Sequence, residues 1–373
     1  MRPGGDPKSL ISRLSSWVYG RTLSSDPPVR SLFEACRLAL VRLLGDPVCS
    51  MWVHGRTLAM PLSHPLPLYA YRYQYFDRLP GRIAAFIGNR YGGFVFLDVG
   101  ANIGDTVASV RSSAGVPVFA VCFEPTPRYR ELLEANWRGD DRVLSLPFAC
   151  SAKSGRARLG LTESDGTASL RPRDPRLHST AAEVEVVAID DVVETHRGIA
   201  GCRFLKIDTD GHDLEVIGGA LKTIERERPF VLFECDDFGR PDYLETFRGT
   251  VLALYRVGYD RLMLYDNLGR LLCTCPSRDL ARLDEYLLYK ALGGVAYFDI
   301  LAVPPDSAEE FVRSEVEFYG EALSRRPTTE TARPVTASTT ACGRPGSLDD
   351  RAAVASKPIP TAAERRSSRG GRW

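Results

Sequence analysis

The stretch "FVFLDVGANIGDT", Phe94 to Thr106, ends an apolar run in Asp98 and follows it with Gly100, Asn102 and Gly104. A dinucleotide fingerprint, G-x-G-x-x-G, needs a middle glycine so that a pyrophosphate can meet bare backbone at a helix N-terminus. Asn102 occupies that middle place, and Asp98 would repel a pyrophosphate while attracting a cation. The loop therefore suits a positively charged ligand without pyrophosphate. S-adenosylmethionine, with its ammonium and sulfonium, is such a ligand. The next apolar run, "VPVFAVCFE", closes on Glu124, where an acid can accept both hydroxyls of an adenosine ribose.

A third group of polar residues lies in "CRFLKIDTDGHDLEVIGGALKTI", with Asp208, Asp210 and Asp213 around Gly211, after an apolar strand and before an amphipathic helix. Acids there cap the helix and complement its dipole, which accounts for one or two of them. Asp208, at the carboxyl end of its strand, faces the same crevice as Asp98 and can orient cofactor or substrate. His212 stands at the helix N-terminus, where the dipole disfavours imidazolium. His212 or Asp210 is thus a candidate to accept a proton from a substrate hydroxyl, set against a first-turn histidine with no chemical part. Clustered carboxylates also suit a hard cation, but no glutamate stands at the twelfth position of an EF-hand loop, and no metal is expected.

These residues need a scaffold of alternating strands and helices. "FVFLDV" has the continuous apolar character of a strand buried on both faces of a parallel sheet, "VPVFAVCFE" repeats it, and "GDTVASVRSSAG" supplies the crossover helix between them. Further strands are expected at "RVLSLPFAC", "RARLGLT", "VEVVAI", "CRFLKID", "FVLFEC", "DRLMLYD" and "VAYFDILAV", and helices at 125–137, 212–224, 242–256, 278–291 and 307–322. The final strands suit an antiparallel edge pair. Ahead of this domain, residues 1–80 read as a cap. It has a helix in "DPPVRSLFEACRLALVRLLGDP", a hairpin turning at His54 and Gly55, and an aromatic segment, Tyr69 to Phe76, that either walls a substrate pocket or packs the cap down. Residues 81–323 form the main domain, and residues 324–373, rich in Pro, Ser, Thr, Ala and Arg, read as a disordered tail.

Across 373 residues, 48 Lys and Arg against 47 Asp and Glu leave no overall electrostatic footprint for nucleic acid or membrane. The nine cysteines, including the Cys273 and Cys275 pair of "LLCTCP", have no zinc spacing and suit reduced thiols of a cytoplasmic protein. No apolar window is long enough for a signal peptide or a spanning helix.

Together, "FLDVGANIGDT", "CFEP", "AIDDVV" at 188–193, "FLKIDTDGHDLEVIGGA" and "FVLFEC" resemble the FkbM family of S-adenosylmethionine-dependent methyltransferases. The resemblance implies an α/β class I methyltransferase (Rossmann-like) fold: a doubly wound, mostly parallel seven-stranded sheet with an antiparallel edge strand. It also implies O-methylation of a hydroxyl on a sugar, polyketide or other secondary metabolite. By position it assigns Asp98, Gly100, Asn102 and Gly104 to the methionine side of the cofactor, Glu124 to the ribose, Ala149 and Cys150 to the adenine, and Asp208 and Asp210 to the family's acidic pair. Thr167 and Ser169 match a hydroxyl-rich segment to which no role is attached. The partner expected is a small molecule or glycan with a free hydroxyl. Two alternatives stay open, a nicotinamide-dependent oxidoreductase and a non-catalytic binding module on the same fold.

Overall fold

The computed structural model describes residues 9–162, 167–169, 182–196, 199–237, 240–293 and 295–324, and the statements below concern these residues. The expected tail lies outside them.

The chain opens with helices α1 (Leu10–Ser24) and α2 (Pro27–Leu44) and a hairpin of β1 (Val48–Val53) and β2 (Arg56–Pro61). The hairpin turns where expected, His54 and Gly55 both taking positive φ, as a two-residue turn that matches strand twist demands. Two helices, α3 (Leu66–Arg72) and α4 (Leu79–Tyr91), lead into β3 (Phe94–Val99), α5 (Asp105–Ala114), β4 (Val118–Phe123), α6 (Pro127–Asn136) and β5 (Val143–Leu146). Pro147 cannot donate to a ladder, and the run "RVLSLPFAC" divides there. Its second half, β6 (Ala149–Cys150), leaves for a separate small sheet with β7 (Gly155–Thr162), β8 (Thr167–Ser169) and β9 (Ala182–Val187), in the order β6-β9-β7-β8.

After α7 (Ile189–Thr195) and β10 (Cys202–Ile207), the helix expected over 212–224 divides at its glycine pair into α8 (Asp213–Gly218) and α9 (Leu221–Glu227). The chain continues through β11 (Phe230–Cys235), α10 (Tyr243–Arg256), β12 (Arg261–Asp266), β13 (Leu271–Pro276), α11 (Leu280–Ala291), β14 (Phe298–Val303) and α12 (Ala308–Ser324).

The main sheet runs β13-β12-β14-β11-β10-β3-β4-β5. Its half from β5 to β11 is parallel, and all six residues of β3 are buried, as a strand covered on both faces requires. Eight strands replace the seven expected. The run "DRLMLYDNLGRLLCTC" folds back at Asp266–Arg270 and contributes both β12 and the outer strand β13. The antiparallel strand expected at the edge, β14, instead inserts between β11 and β12 and pairs with both.

Apolar clusters cover both faces of the sheet. One of them is continuous with the cap: Tyr19, Leu58, Met60 and Leu66 share it with Phe96, Ile103 and Val107. The aromatic segment serves this packing. Tyr75 meets the tilted ring of Tyr319 of α12 at 5.2 Å, Tyr69 meets Phe76 at 5.2 Å, and Phe76 packs against the core. At the far side of that joint, Glu315 is buried against Arg82 (2.8 and 3.0 Å) and the Tyr265 hydroxyl (3.0 Å).

Candidate active site

Strand order reverses at β3, whose neighbours β4 and β10 come from opposite directions along the chain, and a crevice opens at such a switch point outside the carboxyl ends of the strands. Asp98, Glu124 and Asp208 stand at or just beyond the ends of β3, β4 and β10. The structure brings together the three acids that the sequence had set on separate strands.

Asp98 is fully buried, and neither carboxylate oxygen has a hydrogen-bond partner. Its one close counter-charge is Lys206, its neighbour in register on β10, with Nζ 3.7 Å from Oδ1. The same ammonium lies 3.0 Å from Asp208, which is half exposed. Burial pushes the Asp98 carboxyl up to about 7, although Lys206 pulls the other way. The two acids hold the Lys206 ammonium above its ordinary range in spite of its own burial. A buried carboxylate without donors invites a ligand that brings N–H groups or positive charge, which is the chemistry of an amino-acid ammonium.

Glu124 has another part to play first. Its Oε2 accepts from the Asn102 backbone N–H at 2.9 Å and Oε1 from the Thr126 N–H at 2.8 Å, tying the loop after β3 to the start of α6. Each oxygen keeps one lone pair, so two further donors fit. Those free lone pairs suit the two hydroxyls of a ribose. Burial raises its pKa.

The glycines act through close packing. A Cβ on Gly100, at φ 79°, would lie 1.9 Å from the Asp208 carbonyl oxygen, so the loops after β3 and β10 meet only because this residue has no side chain. Gly104, at φ 80°, would put a Cβ 2.5 Å from the Trp137 indole nitrogen, which donates to the Gly104 carbonyl at 3.1 Å. Asn102 takes a left-handed conformation at the loop tip.

On the β10 side, Asp213 is buried and structural. It accepts from the Thr209 hydroxyl at 2.9 Å and from the Glu234 N–H at 3.1 Å, and burial raises its pKa to about 6. Asp210 stands at positive φ on the crest of the same loop. His212 is buried: Nε2 pairs with the Ser151 hydroxyl at 2.9 Å and Nδ1 lies 3.7 Å from Glu215, which also holds Arg240 at 2.9 Å. The imidazole thereby joins the start of α8 to the residue following β6. Ala149 and Cys150 of β6 are buried beside it in chain. Thr167 and Ser169 fall on β8, in the small sheet.

Residues outside the site set assigned from the sequence also stand here. Lys206 is the central one, and its signal was a lone lysine inside the apolar strand "CRFLKI". Glu234 and Asp299 stand directly opposite each other on β11 and β14, and burial with neighbouring acids pushes both carboxyls well up. Like charges so paired disfavour double ionisation. The cap adds His54, whose Nε2 is 2.6 Å from Asp77, and His64, whose pKa burial lowers in spite of nearby Asp105. Among the described residues no group of three or more His, Cys, Asp or Glu is disposed to hold a metal ion, and the eight described cysteines are free thiols.

Strand order, loop and acids together make a candidate ligand site at the switch point of a mostly parallel α/β sheet. Residues 98–260 match the methyltransferase FkbM domain. Among solved structures it is similar to methyltransferase FkbM from Methylobacillus flagellatus KT, at 16% identity and TM-score 0.36, over 68% of this chain and 55% of that one. It is also similar to fibrillarin of Aeropyrum pernix in complex with natively bound S-adenosyl-L-methionine, at 14% identity and TM-score 0.29, over 60% of this chain and 76% of that one. A third likeness is to precorrin-6y C5,15-methyltransferase from Geobacter metallireducens GS-15, at 12% identity and TM-score 0.29, over 60% of this chain and 84% of that one. No curated protein matches the sequence.

Proposed function

We propose that this chain transfers the methyl group of S-adenosylmethionine to a hydroxyl oxygen of a small molecule or glycan, such as a sugar or polyketide. The observation that carries the reading is the buried Asp98 carboxylate, which accepts no hydrogen bond, on the strand next to the one whose end carries Glu124, itself held by the Asn102 and Thr126 N–H groups. When bound, the cofactor supplies a methyl group already activated by its sulfonium.

The residues divide the remaining work. Asp98 takes the ammonium of the methionine portion, with Lys206 keeping the pair of acids near charge balance before the cofactor enters. Glu124 takes the ribose hydroxyls, Asn102 and the two glycines shape the loop between them, and Ala149 borders the adenine. Asp208, half exposed and held by Lys206, orients the acceptor toward the methyl-bearing side. Asp210, at positive φ in the loop after β10, would accept the proton of the acceptor's hydroxyl. His212 is the second candidate base. Its bond to Ser151 suits it better to fixing the α8 N-terminus, and its role separates from that of Asp210 by the pH profile.

Incubation with S-adenosylmethionine labelled in the methyl group and a panel of hydroxylated glycans and polyketides tests the reading. Label should enter an alkali-stable ether on the acceptor, and Asp210→Asn should lower kcat far more than the cofactor Kd. Binding of NADH in place of S-adenosylhomocysteine would overturn it.

A further inference from the structure

Helices α1 and α2 are built inside out. Toward the body of the protein α1 buries Ser12, Ser15, Val18, Tyr19 and Thr22, and the Ser12 and Ser15 hydroxyls find no hydrogen-bond partner there. Toward solvent it presents Leu10, Leu14 and Trp17, one helical stripe at i, i+4 and i+7, exposed by 80%, 45% and 57%. Its neighbour α2 buries Arg37, which donates to the Leu62 carbonyl and pairs with Glu34, while Leu40 and Val41 are half-buried against the core. The leucines Leu32, Leu38 and Leu43 of α2 are exposed, and Trp17 meets Phe33 at 5.3 Å across the seam between the helices. A water-facing helix turns its leucines inward and its serines out. The reverse arrangement is stable when the leucine face has an apolar medium to enter.

The charges on these helices select the medium. Arg13, Arg21 and Arg42 are exposed along them, whereas the one exposed acid is Asp26, at the turn between the helices. A second copy of the chain would set arginine against arginine. Residues 325–373, with their excess of arginine and few large apolar residues, offer no better complement. An anionic bilayer supplies both what the leucines and tryptophan lack and what the arginines attract. Among the described residues no helix is long and apolar enough to cross a membrane, so the pair would lie along the surface.

We propose that the α1–α2 face docks this protein on anionic phospholipid membranes, with Leu10, Leu14, Trp17, Leu32 and Leu43 entering the headgroup boundary and the arginines meeting lipid phosphate. The net charge of the whole chain conceals this, because the basic excess is local. Docking does not depend on the methyltransferase reading.

Co-sedimentation of the full-length protein with vesicles tests it, using phosphatidylcholine alone and phosphatidylcholine with a third phosphatidylglycerol. The anionic vesicles should hold the protein about tenfold or more better than the neutral ones, and high salt should erode the difference. A Leu14→Ser/Trp17→Ser/Leu43→Ser variant should lose that binding while keeping the wild-type circular dichroism and melting temperature. A second variant, Arg13→Gln/Arg21→Gln, leaves the apolar stripe intact and should lose only the preference for anionic lipid. Failure of the wild type to bind anionic vesicles overturns the proposal. So does light scattering that finds a dimer in solution which the serine variant converts to monomer, because the face then belongs to a second copy.

Discussion

Replacing Gly100 with alanine should damage the protein in a way that ordinary left-handed strain does not. The added Cβ would sit 1.9 Å from the Asp208 carbonyl oxygen and 3.0 Å from its carbonyl carbon, both backbone atoms that no rotamer change can move. The loop after β10 must retreat by about 1 Å or more to restore van der Waals distance, since interiors have no slack to absorb it. That retreat strains the 3.0 Å hydrogen bond from the Asp208 N–H to the Val99 carbonyl, worth about 1–3 kcal/mol if left unmade in a buried setting. The left-handed φ adds about 1–2 kcal/mol for any residue with a Cβ. The sum is about 2–5 kcal/mol. Gly115 is the internal control: its φ is 67°, yet nothing lies within 4 Å of its Cβ position, so Gly115→Ala carries the strain alone. Urea denaturation of both variants, with titration calorimetry of S-adenosylhomocysteine, separates the terms. Gly100→Ala should be at least about 1 kcal/mol less stable than Gly115→Ala and lose cofactor affinity, while Gly115→Ala keeps it. Equal stability, or undiminished affinity in Gly100→Ala, would refute the claim that this glycine sets the distance between the two loops.

Three other perturbations probe different parts of the account. Burial pushes the Asp98 carboxyl up to about 7, and only the ionised form attracts a cationic ligand. Affinity for S-adenosylmethionine should therefore rise with pH up to about 7 and level off above it, and Asp98→Asn should bind weakly with no such rise. Glu315→Ala leaves Arg82 buried without its partner and should cost about 3–5 kcal/mol in stability while cofactor affinity in the folded protein stays unchanged, read by thermal melts and calorimetry. Lys206→Met removes the one cation between Asp98 and Asp208; the pH at which cofactor binding levels off should move upward, as a pH series of titrations would register.

The sequence made some of this legible and concealed the rest for identifiable reasons. The parallel strands β3, β4, β10 and β11 announce themselves as apolar runs because burial on both faces leaves no place for alternation. The acids at their ends stand out against those runs. The strand count was harder, because "DRLMLYDNLGRLLCTC" is one apolar stretch whose turn at Asp266–Arg270 has to be seen to be counted. "RVLSLPFAC" reads as one strand, but Pro147 cannot donate to a ladder and divides it. Lys206 was concealed by its surroundings: a lysine in an apolar strand has meaning only once Asp98 is known to lie beside it in register. Gly100 and Gly104 are assigned by resemblance to the methionine side of the cofactor; what the sequence does not show is that a Cβ at either would meet Asp208 or Trp137 of this chain. Helix α1 was not recognisable by periodicity, since Val18 is the one aliphatic residue in a buried stripe otherwise made of serine, threonine and tyrosine.

Titration of S-adenosylmethionine into the wild type and into Glu124→Gln and Asp98→Asn variants, by calorimetry near pH 8, tests the central claim most directly. The wild type should bind one equivalent. Glu124→Gln, which loses the charge that draws both backbone N–H groups and ribose hydroxyls, and Asp98→Asn, which loses the partner of the ammonium, should each weaken binding about tenfold or more with the fold intact. Binding of equal strength in all three proteins would place the cofactor outside this crevice and contradict the account.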